Sequence, residues 1–440
     1  MSDPLLPNLL DVLPPMPEAA DTAPSTTEPR YDVPNRAQVE LYPCDLETLL
    51  PPDHAARLVW RFVEGLALNT FYDAIRAREG RPGRPAIDPR ILIALWLYAT
   101  IDGVGSAREV DRLCQQHDAY RWIRGGVSVN YHTLSDFRVD QRAALDDLLT
   151  QSIAALIKRH VITLARVAQD GTRVRANAGI RSFRRRPTLE DALRLARQQV
   201  ARTARQEDGA ALSRQAAAQA RVAAERLTRV EEALAEMPAV EAAKVRNRST
   251  ATPRVSTTDP EARKMKLTDG GYRPAYNVHF ATDVDSRAIV GVTVTNVGSD
   301  QPEFLPMLDQ ILERTGQAPA SELVDGGFVT HEAITEAEAA GVTVYAPVPK
   351  PKGARDPAAA CRGDSAAVAA WRARMATAEA KACYRARAAT AEWINADTRT
   401  HRTLGPLLVR GLDKVHTWVL WIALAHNMMR TMGIVPHQMM

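Results

Sequence analysis

The stretch VITLARVAQDGT, residues 161–172, marks the point where the pattern of the chain changes from helical to extended. Residues 161–167 are rich in β-branched and other apolar side chains, which predicts a strand. Asp170 and Gly171 follow, so we expect the Asp170 carboxylate to stand at the carboxyl end of that strand. Because open α/β sheets bind ligands at this edge, the stretch predicts a sheet and a site together.

The chain before this point predicts an all-helical domain. Apolar residues recur at helical spacing from about residue 46 to 158, and Asp88-Pro89 is a typical helix start. Residues 1–36 are rich in Pro, Ser, Thr and acidic residues, which predicts a disordered leader. We therefore expect a leader over residues 1–36 and a helical domain over residues 37–158.

The chain after this point alternates between strand and helix patterns. An Ala-, Arg-, Glu- and Gln-rich stretch, about residues 185–250, predicts a helical insertion behind the first strand. The whole of residues 159–435 then predicts an α/β domain with a mixed five-stranded sheet covered by helices. The further strands are predicted at 275–280, 288–294, 321–324 and 342–346, and the further helices at about 303–314, 331–340, 366–396 and 414–430.

Length and composition limit the class of protein. At 440 residues, 45% hydrophobic and 25% charged, the chain suits two or three folded domains, and its net charge of +4 permits a polyanionic partner. The four cysteines are scattered, which predicts neither a zinc site nor a disulfide framework. With no secretory signal and no apolar run of membrane-spanning length, we expect a cytoplasmic protein.

Three acidic residues are candidates for metal-dependent chemistry. Asp325 repeats the pattern of Asp170, since it follows a predicted strand and precedes Gly326-Gly327, and the glycines would let a DNA backbone approach. Glu392 lies on a predicted helix. Three carboxylates supply the hard oxygen ligands that two Mg²⁺ ions need for phosphoryl transfer.

The same residues also fit ordinary structural roles. An Asp-Gly pair is often only a turn, and a helix that carries Glu392 between Arg385 and Arg399 can be a solvated surface. Asp300 is interpreted as a helix cap before Glu303.

Several sequence blocks resemble the DDE transposases of bacterial insertion sequences, in the IS four and IS five supergroup and its branch called IS eleven-eighty-two. The resemblance covers about residues 40–432, and its most specific block is YRARAATAEWINA at residues 384–396. Further blocks in the family's order are residues 83–89, 106–110, 132–138, 169–177, 272–278, 323–328, 408–415 and 423–430.

The resemblance implies a fold, a cofactor and partners. The domain over residues 159–435 would be an RNase H-like catalytic domain in which Asp170, Asp325 and Glu392 bind Mg²⁺, with Mn²⁺ as a substitute. The enzyme would cut and join double-stranded DNA at the terminal inverted repeats of a transposon and at a target. It would act as a homodimer that pairs two DNA ends, in association with the bacterial nucleoid.

One departure from the supergroup signature concerns the arginines. The signature places an Arg four residues before the Glu and a Lys seven after it, whereas this chain has Arg387 five before and Arg399 seven after. A one-residue slip rotates a helical side chain by ~100°, so Arg385 is an alternative phosphate contact. The resemblance also implies that the helical domain over residues 37–158 binds DNA. The residues expected to contact DNA are Arg84, Arg138, Arg385, Arg387 and Arg399.

Two other functions remain open from the sequence. The first is an inactive or domesticated, transposase-derived DNA-binding protein, against which the three acidic residues argue. The second is another RNase H-like nuclease, such as a resolvase, which would not explain the blocks near both ends of the chain.

Overall fold

The computed structural model describes residues 37, 45–77, 80, 85–207, 214–350, 356–405 and 407–432. It divides the chain into two units, residues 1–44 and 45–440. Ala37 is the one described residue of the first unit, so the predicted leader lies outside the described residues. The helices and strands that the structure describes lie in the second unit.

The amino-terminal part of this unit is helical. Asp88 caps α3 by accepting a hydrogen bond from the backbone N–H of Arg90 at 2.9 Å, and Pro89 stands in the first turn, as the sequence predicts. Every residue of α3 from Ile91 to Ile101 is buried, so this helix is the centre of its core. The helices are α1 (Ala55–Glu64), α2 (Asn69–Asp73), α3 (Pro89–Ile101), α4 (Ala107–Gln116), α5 (Asp118–Arg124), α6 (Tyr131–Asp140) and α7 (Arg142–Lys158).

A mixed sheet follows, with six strands among the described residues instead of the predicted five. Its strands are β1 (Val167–Arg175), β4 (Arg263–Lys266), β5 (Tyr272–Asp283), β6 (Ile289–Thr295), β7 (Ser321–Leu323) and β8 (Thr343–Tyr345), and a separate pair joins β2 (Phe183–Arg184) to β3 (Val255–Ser256). The central order is β6-β5-β1-β7-β8, and the short strand β4 is added beside the start of β5. Since β5 is antiparallel to both β1 and β6, and β7 and β8 are parallel to β1, all strands of this central path except β5 run the same way.

The position of β1 corrects the sequence prediction. The strand predicted at 161–167 instead spans Val167–Arg175, because the ladder with β5 continues from Val167 opposite Asp283 to Arg175 opposite Ala275. Asp170 therefore lies within its strand rather than at the end. It does lie beyond the parallel ladder with β7, which pairs only Val167 and Ala168.

Helices cover the sheet and extend from it. Two long helices, α8 (Arg186–Glu207) and α9 (Arg214–Arg246), lie between β2 and β3 in the chain. The later helices are α10 (Phe304–Thr315), α11 (His331–Ala339), α12 (Ala366–Ala376), α13 (Ala378–Arg387), α14 (Trp393–His401) and α15 (Leu412–Met432). Within the described ranges, none of the helices combines the length and apolar character needed to cross a membrane.

Helix α15 joins the helical part to the sheet. It packs on α3 and α7 and also on β6, and its residues from Trp418 to Met429 are buried. The Trp96 and Trp418 rings meet edge to face, with centroids 5.7 Å apart. One apolar core therefore spans the amino-terminal helices and one side of the sheet.

Candidate functional site

Asp170 and Asp325 both follow the parallel ladder between β1 and β7. The ladder ends with Ala168 opposite Leu323, and each aspartate comes two residues later, Asp170 within β1 and Asp325 beyond the end of β7. The charge of Asp325 acts on the pKa of Asp170, so the two carboxylates are near each other. Ala168 and Leu323 pack against Ala391, which shows that one face of the ladder is covered by the segment that contains Glu392.

The Asp170 carboxylate is held by two side chains from this segment. Arg387 Nη2 donates to Oδ1 at 2.8 Å, and Asn395 Nδ2 donates to Oδ2 at 3.0 Å. Both carboxylate oxygens therefore have a donor. The pair is largely shielded from water, with side-chain exposures of 12% for Arg387 and 21% for Asp170.

Burial raises the pKa of Asp170 above its ordinary value. The negative charges of Asp300 and Asp325 act in the same direction, whereas Arg387 and the backbone N–H of Gly171 oppose the shift. Three carboxylates, those of Asp170, Asp300 and Asp325, thus lie near a single guanidinium group, that of Arg387. This excess of negative charge favours a further cation at the site.

A π-helical turn, Ala388–Glu392, connects α13 to α14, so that residues 378–401 form one continuous helix. A π turn bonds residue i to i+5 and therefore takes in one residue more than an α turn. The five-residue step from Arg387 to Glu392 falls on this turn. The turn therefore accommodates the extra residue, and Arg387 reaches Asp170.

Glu392 is the third predicted carboxylate, and its side chain is exposed. Asn395 and Arg399 follow it by three and seven residues, which places them on neighbouring positions of one helix face. Asn395 contacts Asp170, and Arg399 Nη2 donates to the Arg173 carbonyl at 2.7 Å. Glu392 is therefore one turn from Asn395, but its own side chain is exposed and forms no hydrogen bond or ion pair with Asp170.

The donor chemistry of the site suits a hard divalent cation. Aspartate oxygens dominate it, and the buried Oδ1 of Asn395 has no hydrogen-bond partner among the described residues. In the described part of the chain, however, no group of three or more His, Cys, Asp or Glu side chains is close enough to hold a metal ion. The aspartates thus lie near one another, and Arg387 is the counter-ion of Asp170.

Asp300 lies near Asp170, and it also holds the predicted cap position, before the 3-10 turn Gln301–Glu303. Its side chain makes no capping bond and instead accepts from Asn277 Nδ2 at 2.7 Å. A β-carbon at Gly171 would lie 2.6 Å from Asp300 Oδ1, so the glycine makes room for this carboxylate and not for DNA. The missed signal is that β1, β6 and β7 run in one direction and each carries or precedes an aspartate.

His279 completes the packing around Asp300. Burial lowers the pKa of His279 to about 4, with the charge of Asp300 opposing the shift, so the ring is neutral at pH 7. Its Nε2 lies 3.7 Å from Asp300 Oδ1, and both ring nitrogens are without a hydrogen-bond partner in the described residues. The ring packs edge to face against Phe328.

Tyr384 is a further neighbour of the aspartates. Burial raises the pKa of the Tyr384 phenol, and the charges of Asp325 and Asp170 add to the rise, while Arg387 opposes it. The hydroxyl therefore stays protonated near neutral pH and can donate a hydrogen bond. In the sequence, Tyr384 stands out only as the first residue of the motif block at 384–396.

The predicted DNA contacts fall into different settings. Arg385 is exposed, and Arg84 lies outside the described residues. The prediction for Arg138 is wrong in this structure, because its side chain is buried and its Nη1 donates to the Gly105 carbonyl. Its guanidinium lies 5.0 Å from the Trp96 ring and 5.5 Å from the Trp418 ring, which makes it a packing residue.

Comparison with protein families gives two matches. Residues 44–140 match the family described as Transposase domain (DUF772), and residues 359–432 match the one described as Transposase DDE domain. The second match contains Arg387 and Glu392 but begins after Asp170 and Asp325. Together the matches support a DDE transposase, and a DDE domain implies an RNase H-like fold. No curated protein and no solved structure matches the chain.

Proposed function

We propose that this chain is an insertion-sequence transposase that cleaves and joins DNA with Asp170, Asp325 and Glu392. The observation that carries the proposal is the contact between Asp170, which lies near Asp325, and Arg387 from the Transposase DDE domain match. Membership of the IS four and IS five supergroup, in the IS eleven-eighty-two branch, is part of the proposal and is supported by the motif block at residues 384–396.

The three carboxylates would hold Mg²⁺, or Mn²⁺ in its place. When bound, the metal activates the attacking oxygen and stabilises the leaving oxygen of a phosphodiester. Arg387 orients Asp170 through its hydrogen bond at 2.8 Å. Arg385 and Arg399 lie on the same continuous helix and supply positive charge for the phosphates of the bound strand.

The reaction would proceed in two displacements at phosphorus. In the first, water attacks a phosphodiester at the transposon end, the P–O3′ bond breaks, and a 3′ hydroxyl and a 5′ phosphate result. In the second, that 3′ hydroxyl attacks a target phosphodiester and forms a new P–O bond, and the target's own 3′ hydroxyl leaves. Both steps place negative charge at the same phosphoryl position, so one carboxylate cluster serves both.

The partners would be double-stranded DNA at the terminal inverted repeats and at the target. Two copies of the chain would pair the two ends, and the protein would act on the bacterial nucleoid. The basic composition supports such a partner, with a net charge of +4.

Cleavage of DNA tests this proposal. Duplexes that carry the element's inverted repeats are incubated with Mg²⁺ and either the wild-type protein, Asp325→Asn, or the matched control Asp309→Asn on the exposed side of α10. We expect cleavage by the wild type and the control and none by Asp325→Asn. Binding without cleavage by the wild type would instead indicate a DNA-binding protein derived from a transposase, and cleavage without preference for the repeats would indicate another nuclease.

A further inference from the structure

A basic cavity lies beside the sheet, and none of the three predicted metal ligands lines it. Its volume is about 700 Å³, and it is lined by the carboxyl-terminal end of α9, the segment leading to β3, strand β4 and the loop after β6. The cationic lining residues are Lys244, Arg246, Arg254, Arg263 and Lys264. No acidic residue is among the described residues that line it.

Most of these cations lack a counter-ion. Arg263 forms an ion pair with Glu236 and is therefore neutralised. Across the described ranges, no ion pair is formed by the other four, Lys244, Arg246, Arg254 and Lys264. The cavity thus collects like charges that repel one another and that an anion would stabilise.

Lys264 shows this repulsion most directly. Its ammonium lies 5.3 Å from the centre of the Phe183 ring, which holds it at the cavity. Partial burial lowers the pKa of Lys264, and the charges of Arg254 and Lys244 lower it further. Positive charges from α9, from the segment before β3 and from β4 therefore meet in one place.

The cavity is connected to the candidate active site through a short loop. Asn296, Val297 and Gly298 line the cavity, and Asp300 follows two residues later. Arg173, in the same strand as Asp170, donates from Nη2 to the Gly298 carbonyl at 2.8 Å. Asn277 donates to both Val297 and Asp300. A strand that leaves the aspartates along this loop would meet the cavity next.

We infer that this cavity binds the phosphate backbone of the DNA strand that passes through the candidate active site. The inference depends on the proposed function, because it assigns to the carboxyl-terminal end of α9 and to β4 a role in holding the DNA substrate of that site. Backbone phosphates fit better than one small anion, because the unpaired cations come from three separate segments. Contacts of this kind give affinity without sequence preference and make binding depend on salt.

Salt-dependent DNA binding tests the inference. Both variants are made in the Asp325→Asn protein, so that binding is measured without cleavage: Lys244→Ala with Lys264→Ala, and as a matched control Arg202→Ala with Arg221→Ala, which removes two exposed charges from α8 and α9. We expect the cavity variant to bind duplex DNA about tenfold or more weakly, and the slope of log affinity against log salt to fall by about 1.8. The control should keep the parent slope.

Three further measurements distinguish a lost phosphate contact from a lost fold and from a site for a small anion. Thermal melting shows whether the cavity variant is folded, and Lys244→Arg with Lys264→Arg should restore the slope because the charge returns. Inorganic phosphate at the concentration of DNA phosphate should not compete with DNA. An unchanged slope in the alanine variant, or full competition by phosphate, would overturn the inference.

The outcome is separable from that of the proposed function. A wild-type protein that cleaves inverted-repeat DNA, together with an unchanged slope in the cavity variant, would overturn the cavity alone. A wild-type protein that binds DNA through the cavity but never cleaves it would overturn the proposed function and keep the cavity.

Discussion

Arg138 and Arg387 are both largely buried, yet they stand in opposite surroundings. Arg138 lies in the helical core, between two tryptophan rings, and donates to a backbone carbonyl. Arg387 lies over the sheet and pairs with Asp170, beside Asp300 and Asp325. One cation is held by neutral groups, and the other is outnumbered by carboxylates.

The difference shows that charge balance separates the two regions better than burial does. In the helical core, donors such as Trp96 Nε1 and Trp421 Nε1 find backbone acceptors at 3.0 Å. Around Asp170, the buried Asn395 Oδ1 and Asn277 Oδ1 lack a donor among the described residues. In the described part of the chain, the first region leaves a donor without a partner, Arg138 Nε, whereas the second leaves acceptor oxygens that a cation could bind.

The largest effect on folding is expected in the helical core. Trp96→Ala removes a fully buried ring that packs on Trp418, which should lower the free energy of unfolding by about 3–5 kcal/mol. Denaturant titration measures this loss. Leu408→Ala, at a side chain that is 52% exposed, is the control and should cost far less. Equal losses would contradict the assignment of this core.

The next effect is on activity. Arg387→Gln removes the guanidinium from Asp170 and should reduce DNA cleavage about 10- to 100-fold, with a smaller change in the melting temperature. Cleavage rates at saturating Mg²⁺ and DNA check the result. The exposed Arg385→Gln should lose less, and the reverse order would show that Arg385 takes the role that we assign to Arg387.

Arg138→Met sharpens the contrast between the two arginines. The loss of the hydrogen bond to the Gly105 carbonyl and of the contacts with the rings should destabilise the fold by about 1–3 kcal/mol. DNA affinity and its salt dependence should not change, because the guanidinium faces the core. A smaller slope of log DNA affinity against log salt in a folded variant would show that Arg138 contacts DNA.

The smallest effect is the pH dependence that Glu322 brings to the sheet. Glu322 is fully buried on β7, and burial raises its pKa well above the ordinary value of 4.5. The protonated acid makes its full contribution to the stability of the fold below pH 4.5, the ordinary pKa, and this contribution is lost as the pH rises through the raised pKa. Glu322→Gln should flatten this loss in melting temperatures measured from acidic to mildly alkaline pH. Parallel profiles of the two proteins would contradict the assignment.

The sequence predicted much of the fold because local patterns determined it. The β-branched runs of β5 and β6 and the Asp88-Pro89 helix start lie where the pattern placed them. The predicted position of β1 was wrong, because the extent of this strand depends on its ladder with β5, a distant segment that local sequence patterns do not reveal.

The site was predictable only in part, for similar reasons. Asp170 and Asp325 were predicted from the strand ends and glycines beside them, and the structure brings the two near each other. Asp300 was missed because its place depends on the direction of β6, and the contact of Arg387 was missed because a π turn absorbs one residue of the helix. The burial of Arg138 depends on α15, which lies far along the chain and whose Trp421 donates to the Arg138 carbonyl.

The most direct test of the central claim is the position of Mn²⁺ in crystals of the protein bound to inverted-repeat DNA. Anomalous scattering at the manganese edge locates the ion, with Asp170→Asn crystals as the control. We expect a peak bound by Asp170 and Asp325 with Glu392 turned in to complete the site, and no peak in the control. A peak bound by Asp300 while Glu392 stays in solvent, or a peak that persists in Asp170→Asn, would contradict the assignment of the three carboxylates.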